Sequence, residues 1–112
     1  MDNSWMYNLG GAVTVCDTEG TIIYMNKKSQ STFVGDGGAE LVGKNVLDCH
    51  PEPARSKLAT MLKTQELNCY TIEKNGVKKL IYQAPWYKET EEYGGFVELS
   101  LEIPMEIAHY VR

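Results

Sequence analysis

Asn75-Gly76 stands between two runs that favour extended backbone, Cys69–Lys74 and Val77–Ala84. Two residues that both tolerate positive φ, flanked by such runs, specify a tight antiparallel hairpin. A second hairpin is legible earlier. Ala12–Cys16 and residues 21–25 are short β-branched segments separated by Asp17-Thr18-Glu19-Gly20, a turn with glycine at its positive-φ position. Gly95–Ile103 alternates, with Val97, Leu99, Leu101 and Ile103 on one face and Phe96, Glu98, Ser100 and Glu102 on the other. That pattern predicts a half-buried antiparallel strand, with its apolar face toward the core and Pro104 as its stop. Pro85–Tyr93 reads as a polar loop carrying Trp86 and Tyr87.

Between the hairpins the pattern changes. Asn26 is placed to cap a short helix through Ser31, Phe33 and Val34, which Gly35-Asp36-Gly37-Gly38 ends. Residues 39–42 allow a single turn before Gly43. Residues 51–64 predict the longest helix, with proline and Glu52 in its first turn, Lys63 in its last, and Ala54, Leu58, Met61 and Leu62 as an apolar stripe. The order needs no parallel crossover. It predicts an α+β fold: a five-stranded antiparallel sheet with short helices and one longer helix packed on one face.

With 112 residues the chain holds one domain. Residues 12–103 form it, 1–11 make an N-terminal flanking segment, and 104–112 begin a C-terminal flanking helix. Eleven Lys and Arg against fifteen Asp and Glu give a net charge of -4, with no basic cluster. Nucleic acid and anionic membrane surfaces, which need clustered cations, are therefore not expected partners. Three cysteines, Cys16, Cys49 and Cys69, without CxxC spacing fit a reducing compartment better than a disulfide framework. The start lacks a basic and apolar leader, and no apolar run is long enough to span a bilayer, so a cytoplasmic location is expected. Enzyme signatures are missing too. There is no glycine-rich phosphate loop and no Gly-x-Ser-x-Gly elbow, and His109 has no partner base or nucleophile in view. The expectation is a non-catalytic module.

Four pieces in order carry a family resemblance. Residues 15–26, Val-Cys-Asp-Thr-Glu-Gly-Thr-Ile-Ile-Tyr-Met-Asn, resemble the opening hairpin of a PAS domain. Residues 40–46, Glu-Leu-Val-Gly-Lys-Asn-Val, resemble the short helix and glycine before that family's long helix. Residues 70–76 resemble its central hairpin, and residues 94–98 the entry to its last strand. Cys49-His50-Pro51 is similar to a motif in bacterial PAS domains that accompany haemerythrin-like domains. The resemblance implies a bacterial sensory and signal-transduction module that binds a small ligand or a signalling protein and relays the event through flanking segments and dimer contacts. The chain departs from the pattern at Glu102-Ile103-Pro104, where family members often carry Asp-Ile-Thr. It also has Val46 where flavin photosensors carry their reactive cysteine, which argues against flavin-adduct chemistry.

An apolar cavity between sheet and helices, if present, is expected to be lined by Phe33, Cys49, His50, Leu58, Met61, Tyr70, Tyr82 and Leu99. A thiol at a helix start, as Cys49 is read here, gains reactivity. His50 is the alternative ligand for a haem iron, against a plain role for His50 and Asp48 as capping residues and for Cys49 as a small apolar side chain. Zinc is not expected, since only Cys49 and His50 lie close in sequence. Trp5, Met6 and Leu9, with Ile107, Tyr110 and Val111, form apolar flanking faces that need cover, and a homodimer is the expected source. A ligand-free dimerisation module is the competing reading.

Overall fold

The computed structural model describes residues 2–112. One helical turn, α1 (Ser4–Tyr7), precedes the hairpin of β1 (Ala12–Cys16) and β2 (Ile22–Met25). Asp17 closes the hairpin turn: its Oδ1 accepts from the Glu19 and Thr21 amides at 3.0 and 2.9 Å. Helix α2 (Lys27–Thr32) follows, then three 3-10 turns at Val34–Asp36, Gly38–Leu41 and Val46–Cys49, and the longest helix, α3 (Ala54–Thr64). Strands β3 (Asn68–Lys74), β4 (Val77–Tyr87) and β5 (Tyr93–Ile103) complete the chain's regular structure.

All strand pairs are antiparallel, in the order β2-β1-β5-β4-β3. Asn75 and Gly76 take φ of 53° and 78°, the pair of positive values their hairpin requires. Strands β4 and β5 are each longer than the sequence pattern predicts, and the expected loop at 85–93 shrinks to residues 88–92. Pro85 does not interrupt β4 because β3 ends opposite Gln83. Beyond that point one side of β4 is open, so the missing proline N–H breaks no ladder.

Two apolar clusters hold the helices to one face of the sheet. Cys16, Met61, Leu62 and Phe96 form one, joined by Val46, Leu47, Leu58 and Tyr93. Ile22, Met25 and Leu41 form the other, with Phe33 and Val46. The helix-bearing face of β5 is therefore that of Phe96, Glu98 and Ser100, and the expectation that Val97, Leu99, Leu101 and Ile103 face the core is corrected. Register decides it: Phe96 lies beside Cys16 on β1, and Val97 beside Val15. The apolar row of β5 lies on the opposite, outer face, half-buried. Gly11 crosses this outer face so close to Leu101 that a side chain at residue 11 would overlap it.

Residues 104–112 contain no helix, contrary to the expected C-terminal flanking helix. A segment this short gains too little from its own hydrogen bonds. Ile107, Tyr110 and Val111 are 58, 71 and 91 % exposed, so no packing compensates. Among the described residues no helix is long and apolar enough to cross a membrane.

Candidate ligand cavity

Val46 packs against both apolar clusters, and beside the second of them lies a cavity of about 350 Å³. Its walls are Ile22, Met25, Phe33, Leu41 and Val46 from β2 and the helical layer, with Ile72 and Ile81 from the sheet. Its floor is polar, with Thr14, Glu98 and Ser100, and Lys79 and Asp36 also line it. Two smaller voids adjoin it, one toward Phe96 and one beneath α3. His50 and Glu98 border all three.

The floor has a specific organisation. Thr14, Glu98, Gln83 and Asn68 are successive cross-strand neighbours on β1, β5, β4 and β3. They make one polar row across the helix-bearing face. Asn68 Nδ2 donates to Gln83 Oε1 at 2.8 Å, and Gln83 Nε2 donates to Glu98 Oε1 at 2.9 Å. Thr14 Oγ1 meets the hydroxyl of Ser29 on α2. The donors run toward Glu98, and linked bonds of this kind polarise one another. Glu98 Oε2 has no hydrogen-bond partner among the described residues.

His50 follows the 3-10 turn at Val46–Cys49. Its Nδ1 lies 2.6 Å from the Val46 carbonyl oxygen. A carbonyl can only accept, so the geometry assigns the proton to Nδ1 and leaves the Nε2 lone pair free in the neutral ring. Cys49 sits in the same turn with its Sγ 3.6 Å from the Asn45 carbonyl, not in the first turn of α3, where the sequence reading places it. The first turn of α3 is served instead by Glu52, whose Oε1 accepts from the Ser56 amide at 2.8 Å. These bonds hold the Glu52 carboxyl below its ordinary value.

Of the expected lining residues, Phe33, Cys49, His50 and Tyr70 border the main cavity. Leu58 and Met61 border the void beneath α3. Tyr82 and Leu99 do not belong to the site. They are cross-strand partners on the outer face, one residue out of phase with Ile81 and Glu98, and a strand's period of two sends them away from the helices. Sequence reasoning missed Glu98, Thr14, Ser100 and Lys79. The alternation marks Glu98 and Ser100 as one face of β5, but only the pairing with β1 turns that face to the cavity.

Burial pushes the Cys16 thiol up from its ordinary value, and the charges of Asp17 and Glu98 push in the same direction. Burial also raises the Tyr70 phenol, with the Glu98 charge as a second cause. Asn26 is completely buried and links the cavity wall to the N-terminal segment. Its Oδ1 accepts from the Val13 and Ser29 amides, both at 2.9 Å, and its Nδ2 donates to the Gly11 and Met6 carbonyls at 2.9 and 3.1 Å.

A five-stranded antiparallel sheet, helices on one face and a partly polar cavity between them define a small α+β module. The model of the PAS fold matches residues 7–65, just over half of the chain, and the chain belongs to that family. The match does not separate out the Cys-His-Pro subgroup. Solved structures agree on the fold. The Aer2 receptor of Vibrio cholerae, described as a dual PAS-heme oxygen sensor, is 22 % identical, with a TM-score of 0.60 over 84 % of this chain and 95 % of that one. A C-terminal domain from Streptococcus mutans is 18 % identical, with a TM-score of 0.71 over 89 % and 81 %. A sensory box sensor histidine kinase from Vibrio cholerae is 18 % identical, with a TM-score of 0.62 over 91 % and 90 %. No curated protein matches the sequence.

Proposed function

We propose that this chain is a non-catalytic bacterial PAS sensor module of the cytoplasm, which binds a small molecule in the cavity and reports it through its flanking segments. The cavity carries the reading: about 350 Å³ with apolar walls and a few polar groups on its floor is the form of a small-molecule site. Asn26 supplies a route for the report. It caps α2, which leads into the cavity wall at Thr32 and Phe33, and it also holds Met6 and Gly11 of the N-terminal segment. A ligand that favours one position of α2 shifts the balance of positions open to that segment. The relay then passes to a signalling partner or a second copy of the chain.

A homodimer belongs to the same proposal. The outer sheet face carries Tyr82, Val97, Leu99 and Leu101, and Trp5, Tyr110 and Val111 are exposed as well. Apolar area of this kind calls for cover. Native mass spectrometry of the purified protein tests the sensor, and light scattering tests the dimer. A dimer without any ligand dependence would favour a pure assembly module.

Haem is the second reading, and it rests on His50. An imidazole whose Nδ1–H is held by a carbonyl presents Nε2 in the manner of a metal ligand. The ligating atom fits, but the charge does not. Haem propionates are anionic, while the main cavity offers Lys79 against the carboxylates of Asp36 and Glu98. Absence of a Soret band after incubation with haem would remove this reading.

A further inference from the structure

The polar row on the cavity floor ends in a carboxylate oxygen that no protein group among the described residues meets. Within the row Asn68 donates to Gln83 and Gln83 donates to Glu98 Oε1, and no donor of the row reaches Glu98 Oε2. Glu98 Oε2 is left over on a half-buried carboxylate. The only ion pairs among the described residues are Arg55 with Asp48 and Lys88 with Glu92, so no cationic side chain lies within 4.0 Å of Glu98. The Oε2 oxygen is open to accept a hydrogen bond from a ligand or from water.

A second acceptor faces the same space. With Nδ1 committed to the Val46 carbonyl, neutral His50 offers Nε2 as a lone pair, and it borders the same three voids as Glu98. Lys79 lines the same cavity but stands beyond ion-pair distance of Glu98. Lys57 borders the void beneath α3 but stands beyond ion-pair distance of Glu98. The main cavity therefore combines apolar walls with two acceptor atoms, Glu98 Oε2 and His50 Nε2, that no protein donor serves. The Glu98 charge is also felt by its surroundings, since it contributes to the upward shifts of Tyr70 and Cys16.

We propose that the cavity takes a ligand with an apolar body and a cationic nitrogen headgroup (an amine, amidine or guanidine), the headgroup donating to Glu98 Oε2 and His50 Nε2. The body lies against Phe33, Leu41 and Ile81. This inference deepens the sensor reading and rests on it. The apolar walls supply affinity and the two acceptors supply selection against anions, which would meet the Glu98 charge directly.

The test is a matched series of one ring with different headgroups: benzamidine, benzylamine, benzyl alcohol and benzoate, titrated calorimetrically into the full chain. Benzamidine and benzylamine are expected to bind more tightly than the alcohol, and benzoate not at all. Glu98→Gln keeps the shape and the Oε1 acceptor but removes the charge, and should weaken the cationic ligands about tenfold to a hundredfold. Benzyl alcohol should be nearly unaffected. Should Glu98→Gln fail to fold, the ranking on the unaltered protein still decides. Benzoate binding as tightly as benzylamine overturns the inference while leaving the cavity a ligand site. Failure of the series and of a broad neutral and anionic library to bind overturns both.

Discussion

The Asn26 carboxamide oxygen lies 2.9 Å from the Val13 amide nitrogen, thirteen residues away in sequence and inside the domain. The bond replaces a ladder contact with a side chain, and it places Asn26 between β1, α2 and the incoming N-terminal segment. Both of its carboxamide atoms are used twice, by Val13 and Ser29 at the oxygen and by Gly11 and Met6 at the nitrogen. The site is completely closed to solvent.

Asn26→Ala should therefore cost about 3 kcal/mol or more, because the truncation strands several backbone groups without water to replace the side chain. Asn26→Asp should fold poorly as well. It keeps the two acceptor contacts but turns an acceptor toward the Gly11 and Met6 carbonyls. Urea denaturation followed by tryptophan fluorescence measures both. An unchanged midpoint for Asn26→Ala would mean that the segment ahead of β1 is not held by this residue.

The β4–β5 turn gives a second stability prediction. Trp86 Nε1 donates to the Cys16 carbonyl at 2.9 Å, and its ring packs over Gly94. Trp86→Phe keeps most of the ring contact and loses the bond, at a cost of about 1 kcal/mol. Gly95→Ala should be far worse. Gly95 holds φ of 134°, and a methyl group there would run into the Cys16 carbonyl and the Asp17 backbone. Thermal unfolding of the two variants should show a shift of a few degrees for Trp86→Phe and loss of the cooperative transition for Gly95→Ala.

Thiol chemistry should divide the cysteines. Cys49 and Cys69 are exposed, and Cys16 is buried with its thiol pushed above the ordinary 9.0. Under native conditions a thiol reagent should modify Cys49 and Cys69 quickly and Cys16 only after unfolding, as mass spectrometry would show. The same shift has a consequence for pH. A raised folded-state value means that the folded protein holds its proton more tightly than the unfolded chain does. The Cys16 contribution is thus complete below pH 9.0 and is lost as pH rises above it through the folded value. Tyr93 and Tyr70 shift in the same direction from 10.0, with burial as the first cause in each. Denaturation midpoints should be level through neutrality and fall on the alkaline side. A midpoint that rises with pH above 9 would contradict the buried thiol.

Much of the architecture was legible because its signals are local. The Asn75-Gly76 turn, the Asp17–Gly20 turn and the Asn26 cap each need only their own few residues, and each forms where the sequence places it. The face of β5 was not legible from its alternation. Both faces of a central strand can be covered, and which one receives the helices is set by pairing with β1, a contact across more than eighty residues of sequence. That same inversion removed Tyr82 and Leu99 from the site and brought Glu98 in. His50 was found because it is a histidine in a motif, whereas the Nδ1 bond that orients it depends on a 3-10 turn no periodicity announces.

The outer face should separate assembly from sensing. Leu99 and Tyr82 adjoin one another there, and neither lines a cavity. Leu99→Glu should dissociate a homodimer, seen as a halved mass in light scattering, with ligand affinity within about twofold of the unaltered protein. A ligand affinity that collapses together with the dimer would place the site across two copies and not inside one.

Filling the cavity should do the reverse. Ser100 lies on the floor between Glu98 and the apolar wall at Ile81, its cross-strand neighbour. Its replacement by leucine adds apolar volume to open space without removing any hydrogen bond given to the row of Asn68, Gln83 and Glu98. Burying the added carbons favours the fold by about 1–2 kcal/mol where they fit without strain. Ser100→Leu should thus unfold no earlier than the parent protein while losing at least tenfold in affinity for any cavity ligand. Isothermal titration and a thermal melt on one sample provide both numbers. Affinity that survives at full strength in a folded Ser100→Leu protein would mean that the ligand binds somewhere other than between these helices and this sheet.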